Sequence, residues 1–278
     1  MIKRILPSLL FILSLFFIFP GCSVKKPPLS DRVLKNNFPS PQDVLEKLDR
    51  DDHFKETLNA IAHIELNASE KRYPLKVAVM LKRPSSFRVE SIPVFGPPDL
   101  LLSVHEDILK VFLPHKGEFY IGQATTKNLI HFFPFFTTGL KVEDITSILI
   151  GTHPKIKEKS VTVNGSFEGD IYRIDIVSEN RRIQSLWIDT EEYYLVRVDL
   201  FDGNNSRMYS AKFTGHYSVG NLTMPQRVII ASGGDDKQNI IIRYSDVQTA
   251  TGIDTAQFNL QPPPGIRPIS MDLWGMGN

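Results

Sequence analysis

Across 278 residues the chain carries seven histidines and one cysteine, and their positions bound the chemistry it can do. His53, His63, His105, His115, His131, His153 and His216 are scattered. No two of them have the H-x-x-x-H spacing that puts a pair of imidazoles on one helix face around zinc. No Gly-x-Ser-x-Gly nucleophile elbow, P-loop or dinucleotide fingerprint occurs. Asp202-Gly203-Asn204-Asn205 and Gly233-Gly234-Asp235-Asp236 offer oxygen ligands but do not follow the calcium-loop pattern, and both read as hairpin turns. One cysteine, Cys22, makes neither a disulfide framework nor a cysteine metal site. The expectation is a protein that is not an enzyme, with no cofactor and no metal.

Cys22 draws its meaning from what precedes it. Lys3 and Arg4 lead an apolar run from Ile5 to Phe19 that ends in Gly21-Cys22, the layout of a signal segment. A sole cysteine at that position resembles the lipobox of bacterial lipoproteins, with Phe19 and Pro20 where leucine and a small residue are usual. The resemblance implies a diacylated, N-acylated Cys22 as the mature terminus. Three chains exceed the two signals that stable anchoring needs. Ser23, rather than aspartate, leans towards the outer membrane. Ordinary secretion with a free cysteine is the alternative. The division that follows is a signal peptide over 1–21, a lipidated Pro-rich tether over 22–41 and a folded domain over 42–278. The tether's 18 residues from Ser23 to Ser40 could lift that domain as much as ~50 Å off a membrane.

Loss of the first 21 residues removes two of 32 basic residues and none of 31 acidic ones, leaving 30 against 31 and a formal charge of −1. Nucleic acid, which calls for a basic stripe, is not expected as a partner.

The elements are mostly strands. Ser40 as N-cap and Pro41 at the first helical position open a helix, with Val44, Leu45, Leu48, Leu58 and Ile61 at helical spacings and a break near Asp49 to Asp52. The first strand is expected at about Ala62 to Asn67. Leu75, Val77, Val79 and Leu81 then alternate with Lys76, Ala78, Met80 and Lys82, and Pro84 marks a turn. Phe87 and Val89 open the next strand. Leu100 to His105, Ile108 to Leu113 and Glu118 to Ile121 continue an antiparallel meander. His131-Phe132-Phe133-Pro134-Phe135-Phe136 fits no period, and reads as a buried plug or as a lid beside an apolar cavity. A short helix over Lys141 to Ile150 stops at Gly151. Strands resume from Ser160, through Ile171 to Ser178, Arg182 to Ile188, Tyr194 to Phe201, Tyr209 to Phe213, Val228 to Ala231 and Asn239 to Val247. The inward set predicted to line one apolar interior is Val77, Val79, Phe87, Val89, Leu102, Val104, Leu109, Val111, Ile174, Ile176, Trp187, Val196, Val198 and Phe213. Lys76, Arg88, Lys110, Arg173 and Asp199 are expected outside and exposed.

Four separated words resemble the LolA/LolB superfamily, the periplasmic lipoprotein carrier and outer-membrane lipoprotein receptor. Lys82-Arg83-Pro84-Ser85-Ser86-Phe87-Arg88 is similar to the family's "K-R-P-x-x-F-R". Ile188-Asp189 with Val196 to Asp202 resembles its "W-I-D" hairpin, and Phe258 to Ile266 its closing "F-x-x-x-P-P-x-G-V". Val142 to Gly151 resembles a helix of related lipoproteins of unassigned function. The resemblance, over about residues 45 to 270, implies a mainly β fold: a half-open antiparallel β-barrel of 11–13 strands with a few covering helices. It further implies a cavity for acyl chains, lined by the inward set. A periplasmic carrier protein is an implied partner besides acyl chains and the membrane reached through Cys22. In the receptor an apolar loop protrudes after a "P-L-G"-like turn. Pro93-Val94-Phe95-Gly96 stands in a comparable place, so Phe95 is a membrane-contact candidate beside Phe132, Phe133, Phe135 and Phe136. The other reading from a different class is an envelope protein-interaction or sensor module on the same scaffold, with no lipid cargo.

Overall fold

The structure is a computed structural model, and it describes residues 38–51, 57–68, 71–132, 140–234, 236–250 and 254–272. All of these but Phe38 lie in a compact unit that begins at Pro39. Helix α1 (Pro41–Asp51) starts where Ser40 and Asp43 cap each other: the Ser40 hydroxyl donates to Asp43 at 2.7 Å, and the Asp43 amide donates back at 3.2 Å. It buries Val44 and Leu45. Contrary to the helical spacing, Leu58 and Ile61 belong to the first strand, β1 (Thr57–Ala68). The physical reason is pairing. β1 is flanked on both sides, and two ladders of backbone hydrogen bonds outweigh a weak local period.

From β1 the chain meanders through β2 (Lys71–Lys82), β3 (Ser86–Ser91), β4 (Leu101–His105), β5 (Ile108–Leu113) and β6 (Glu118–Gln123). Helices α2 (Thr126–Phe132) and α3 (Val142–Leu149) follow. Helix α2 takes up His131 and Phe132, although their aromatic run fits no helical period. The second meander runs β7 (Thr162–Glu168), β8 (Ile171–Ser178), β9 (Arg181–Asp189), β10 (Leu195–Phe201), β11 (Arg207–Val219), β12 (Leu222–Ser232) and β13 (Asn239–Ala250). A 3₁₀ turn (Thr255–Phe258) and the short β14 (Pro268–Ser270) close the described chain.

Among the described residues all 14 strands form one sheet, in the order β14-β6-β5-β4-β3-β2-β1-β13-β12-β11-β10-β9-β8-β7. Every pairing is antiparallel except β14 on β6, which is parallel. The two meanders are joined at their hearts, where β1 pairs with β13. The result is mainly β, one open antiparallel-rich sheet with few helices, as a half-barrel requires. The strand count exceeds the expected range by β14, three residues too short to carry a period.

Period-two alternation decides which side of the sheet is dry. On one face Leu58, Ala60 and Ala62 meet Leu81, Val79 and Val77, and the row continues to Phe87, Leu102, Val104, Leu109 and Val111. Across the β1–β13 seam it continues through Ile242, Val228, Phe213, Val198, Leu186 and Ile174. Helices α1 and α3 pack here, with Val142, Ile145, Ile148 and Leu149 of α3 buried. The other face is mixed: charged and polar positions alternate with apolar ones such as the Phe112–Phe119 pair, and Phe258 lies over its β3–β4 side, its ring stacked on His105 at 6.1 Å.

Candidate functional site

The apolar face is the place where a greasy ligand could lie, and its floor is set by strand register. Val77, Val79, Phe87, Leu102, Val104, Leu109, Val111, Ile174, Ile176, Val198 and Phe213 are all buried on it. Val89 is half-buried and faces the same way, opposite Leu102 and Val79.

Two members of the inward set fall elsewhere. Trp187 stands opposite Arg173 and Arg197, on the outer face, while Leu186 and Ile188 beside it point inward. Its ring lies under both guanidinium groups, at 5.2 and 4.3 Å, and its Nε1–H donates to Glu168 at 3.0 Å. Val196 is the extra residue of a bulge between Leu195 and Arg197, so Leu195 takes the inward place next to Val198. A one-residue bulge flips the alternation, and no sequence period announces it.

The outward residues also divide. Asp199, expected to be exposed, is 3% exposed. It sits in an outer row with Asp175, Ser185 and Ser210, roofed by Arg197 at 2.6 Å and Arg207 at 4.0 Å. Long arginine stems cover it, which is why a charged outer position is dry.

The cover over the apolar face is short and held by polar contacts. In α3, Thr146 donates through its hydroxyl to the carbonyl of Pro84 in the β2–β3 turn, and Arg83 reaches Ser147 Oγ at 3.5 Å. Tyr244 of β13 donates to the Leu149 carbonyl at 2.8 Å. Full burial pushes the Tyr244 phenol far above its ordinary range, so it stays a donor. Phe132 ends α2 half-buried, edge-on to Tyr120 at 5.4 Å. Phe133, Phe135 and Phe136 lie outside the described residues, as does Cys22.

The connection between β3 and β4 carries the largest exposed apolar side chains among those described. Phe95 is 91% and Val94 87% exposed, and Gly96 takes φ +85°, a conformation glycine adopts without strain. Phe95 does not pack under its own turn. Among the described residues no group of three His, Cys, Asp or Glu could hold a metal.

No protein-family model matches the chain, and no curated protein sequence does. Solved structures match through their fold. One is a domain assigned to outer-membrane lipoprotein sorting from Vibrio parahaemolyticus, with 12% identity, a TM-score of 0.53, and 79% of this chain and 97% of that one covered. A LolA superfamily protein from Nitrosomonas europaea gives 12% identity and a TM-score of 0.53 over 78% and 97%. A DUF1329 family protein from Desulfovibrio piger gives 14% and 0.57 over 78% and 95%. The chain therefore has a LolA/LolB-like fold.

Proposed function

We propose that this chain is a lipid-handling protein of the bacterial envelope, held at the outer membrane by acylated Cys22, that receives acyl chains against the apolar face of its half-barrel. The observation that carries this reading is the construction of that face. Thirteen antiparallel strands present a continuous apolar wall, and helices of 11 and 8 residues cover it in place of a second sheet. Acyl chains gain about 0.8 kcal/mol per buried CH₂, so displacing a short helix that exposes little polar surface is within their reach. The exposed Val94-Phe95 tip gives the same molecule an apolar contact for a membrane surface. The cargo is an acyl-bearing lipid or the acyl chains of a lipoprotein, and the activity is transfer or insertion, with no catalytic step.

Intact mass of the gently purified mature chain, beside titration with a fluorescent fatty acid, tests the reading. Co-purifying phospholipid or acyl peptide and saturable uptake are expected. A clean apo mass with a stable protein partner and no uptake would assign the scaffold to the interaction or sensor class instead. Within this reading Phe132, Phe133, Phe135 and Phe136 are lid candidates. Phe135→Glu should weaken fatty-acid binding and keep the fold, whereas loss of fold would make the segment a structural plug.

A further inference from the structure

The outer face of the sheet carries a row of four basic side chains on four adjacent strands. Arg227 of β12 stands opposite Arg243 of β13, Arg243 opposite His63 of β1, and His63 opposite Lys76 of β2. Their chain neighbours Val228, Ile242, Ala62 and Val77 are buried on the inner face, so all four point outward. Three strand spacings of about 4.8 Å make the row roughly 14 Å long. A hollow of about 510 Å³ opens along it beside Arg243, His63 and Lys76.

Like charges directly opposite one another weaken a sheet. Elsewhere this face avoids the arrangement: Arg88 is neutralised by Glu90, Arg173 by Glu168 and Asp175, Arg197 by Asp199, and Arg207 by Asp236. In the row, Lys76, His63 and Arg227 make no ion pair among the described residues, and the buried Nε of Arg227 has no hydrogen-bond partner. The carboxylate paired with the row is Glu65, which Arg243, at 3.5 Å, shares with Arg72. Four fixed cations, Arg72, Lys76, Arg227 and Arg243, thus face one carboxylate. Asp246 and Glu90, in the next row along the face, bound the patch on that side. The whole chain is close to neutral, at +1, so general basicity does not account for the excess.

The surroundings choose among anions. Ile229 and Ile241 lie half-buried on one flank of the row, and Ile61 on the other. Aliphatic groups beside cations suit a surface where water meets acyl chains, rather than a polyanion in solution. The row also begins at the root of the Phe95 loop, where the Ile92 amide donates to the Lys76 carbonyl at 2.7 Å. An open row of this length meets a plane of repeated charges more fully than it meets a single ion. We propose that the row docks the protein on the anionic phospholipid headgroups of a membrane, beside the Phe95 tip. This rests on the envelope location proposed above and not on the acyl cargo. Each basic residue near an anionic surface is worth about fivefold in partition, so the row orients the protein and leaves anchoring to other groups.

The test is flotation of the full mature chain carrying Cys22→Ala, which lacks the acyl anchor. The vesicles are phosphatidylcholine alone, and phosphatidylcholine mixed with phosphatidylglycerol. Tighter binding to the phosphatidylglycerol vesicles is expected, lost as salt rises. Lys76→Gln and Arg227→Gln should each weaken it about fivefold, and together about twenty-fivefold. Binding to phosphatidylcholine, melting temperature and fatty-acid uptake should not change. Should Arg227→Gln unfold the chain, Lys76→Glu, at an exposed position, replaces it. Fatty-acid uptake on the same samples reports the cargo reading separately, so each reading can fail alone. The proposal is overturned by equal binding to the two vesicle types, or by binding that no variant of the row moves. It is also overturned if glycerol phosphate displaces the vesicles better than chloride at equal ionic strength, which would mark a site for free phosphate. Polyglutamate binding in place of the vesicles would make the row a protein contact and overturn it too.

Discussion

With 91% of its surface exposed, Phe95 has apolar area that folding leaves in water. Phe95→Asp should lower partition onto anionic or neutral vesicles about tenfold or more, with the melting temperature unmoved, as flotation and calorimetry would show. Asp199 is the opposite case, a charge held dry beneath two arginines. Asp199→Ala takes the carboxylate from the part-exposed Arg197 while Arg207 keeps Asp236 at 2.6 Å, and should cost about 2 kcal/mol in urea unfolding. His216 links stability to pH. Burial lowers its pKa in the folded state below the ordinary 6.5, so the unfolded chain takes up the proton first. Its contribution is complete above pH 6.5 and is lost as pH falls through 6.5 towards the folded value. Melting curves from pH 7.5 to 5 should fall, and fall less in His216→Gln. At this scale the sequence was legible wherever alternation ran unbroken, as from Val77 to Val111. It was not legible at Val196, where one bulged residue shifts the face, at Trp187, which stands in an unbroken apolar run from Leu186 to Ile188 that names no face, nor at Asp199, whose burial depends on arginines from neighbouring positions.

Under the proposed function, helix α3 is the element expected to move aside for a ligand. It is amphipathic, and Gly151, at φ +81°, ends it. It grips the β2–β3 turn through the Thr146 hydroxyl on Pro84 and through Arg83 on Ser147. Thr146→Val keeps the side-chain shape and removes the donor, at about 1 kcal/mol. If α3 is the gate, stopped-flow uptake of a fluorescent fatty acid should accelerate about fivefold in this variant. Unchanged uptake would place the gate elsewhere. The helix was legible in its 3.6 period and its glycine stop. The end of α1 was not, because Leu58 and Ile61 fit a helical spacing and only their partners in β2 and β13 show them to be strand.

For the molecule as a whole, the decisive contact joins distant parts of the chain. Asn67 and Asn239 meet at 2.9 Å across the β1–β13 seam, 172 residues apart. Such pairing cannot form until long loops close, so refolding from urea should be slow, on the order of milliseconds to seconds or longer by stopped flow. Anchoring is read at this scale too: Cys22→Ala should abolish palmitate labelling and release the chain from membranes. The inside–outside partition of the sheet has an optical consequence. The sequence has two tryptophans, and Trp187 is held on the outer surface between two guanidinium groups and a carboxylate. Lipid arriving on the far side of the wall leaves those neighbours in place. The emission wavelength of Trp187 should therefore stay constant through acyl loading, and respond instead to salt strong enough to loosen its arginine sandwich.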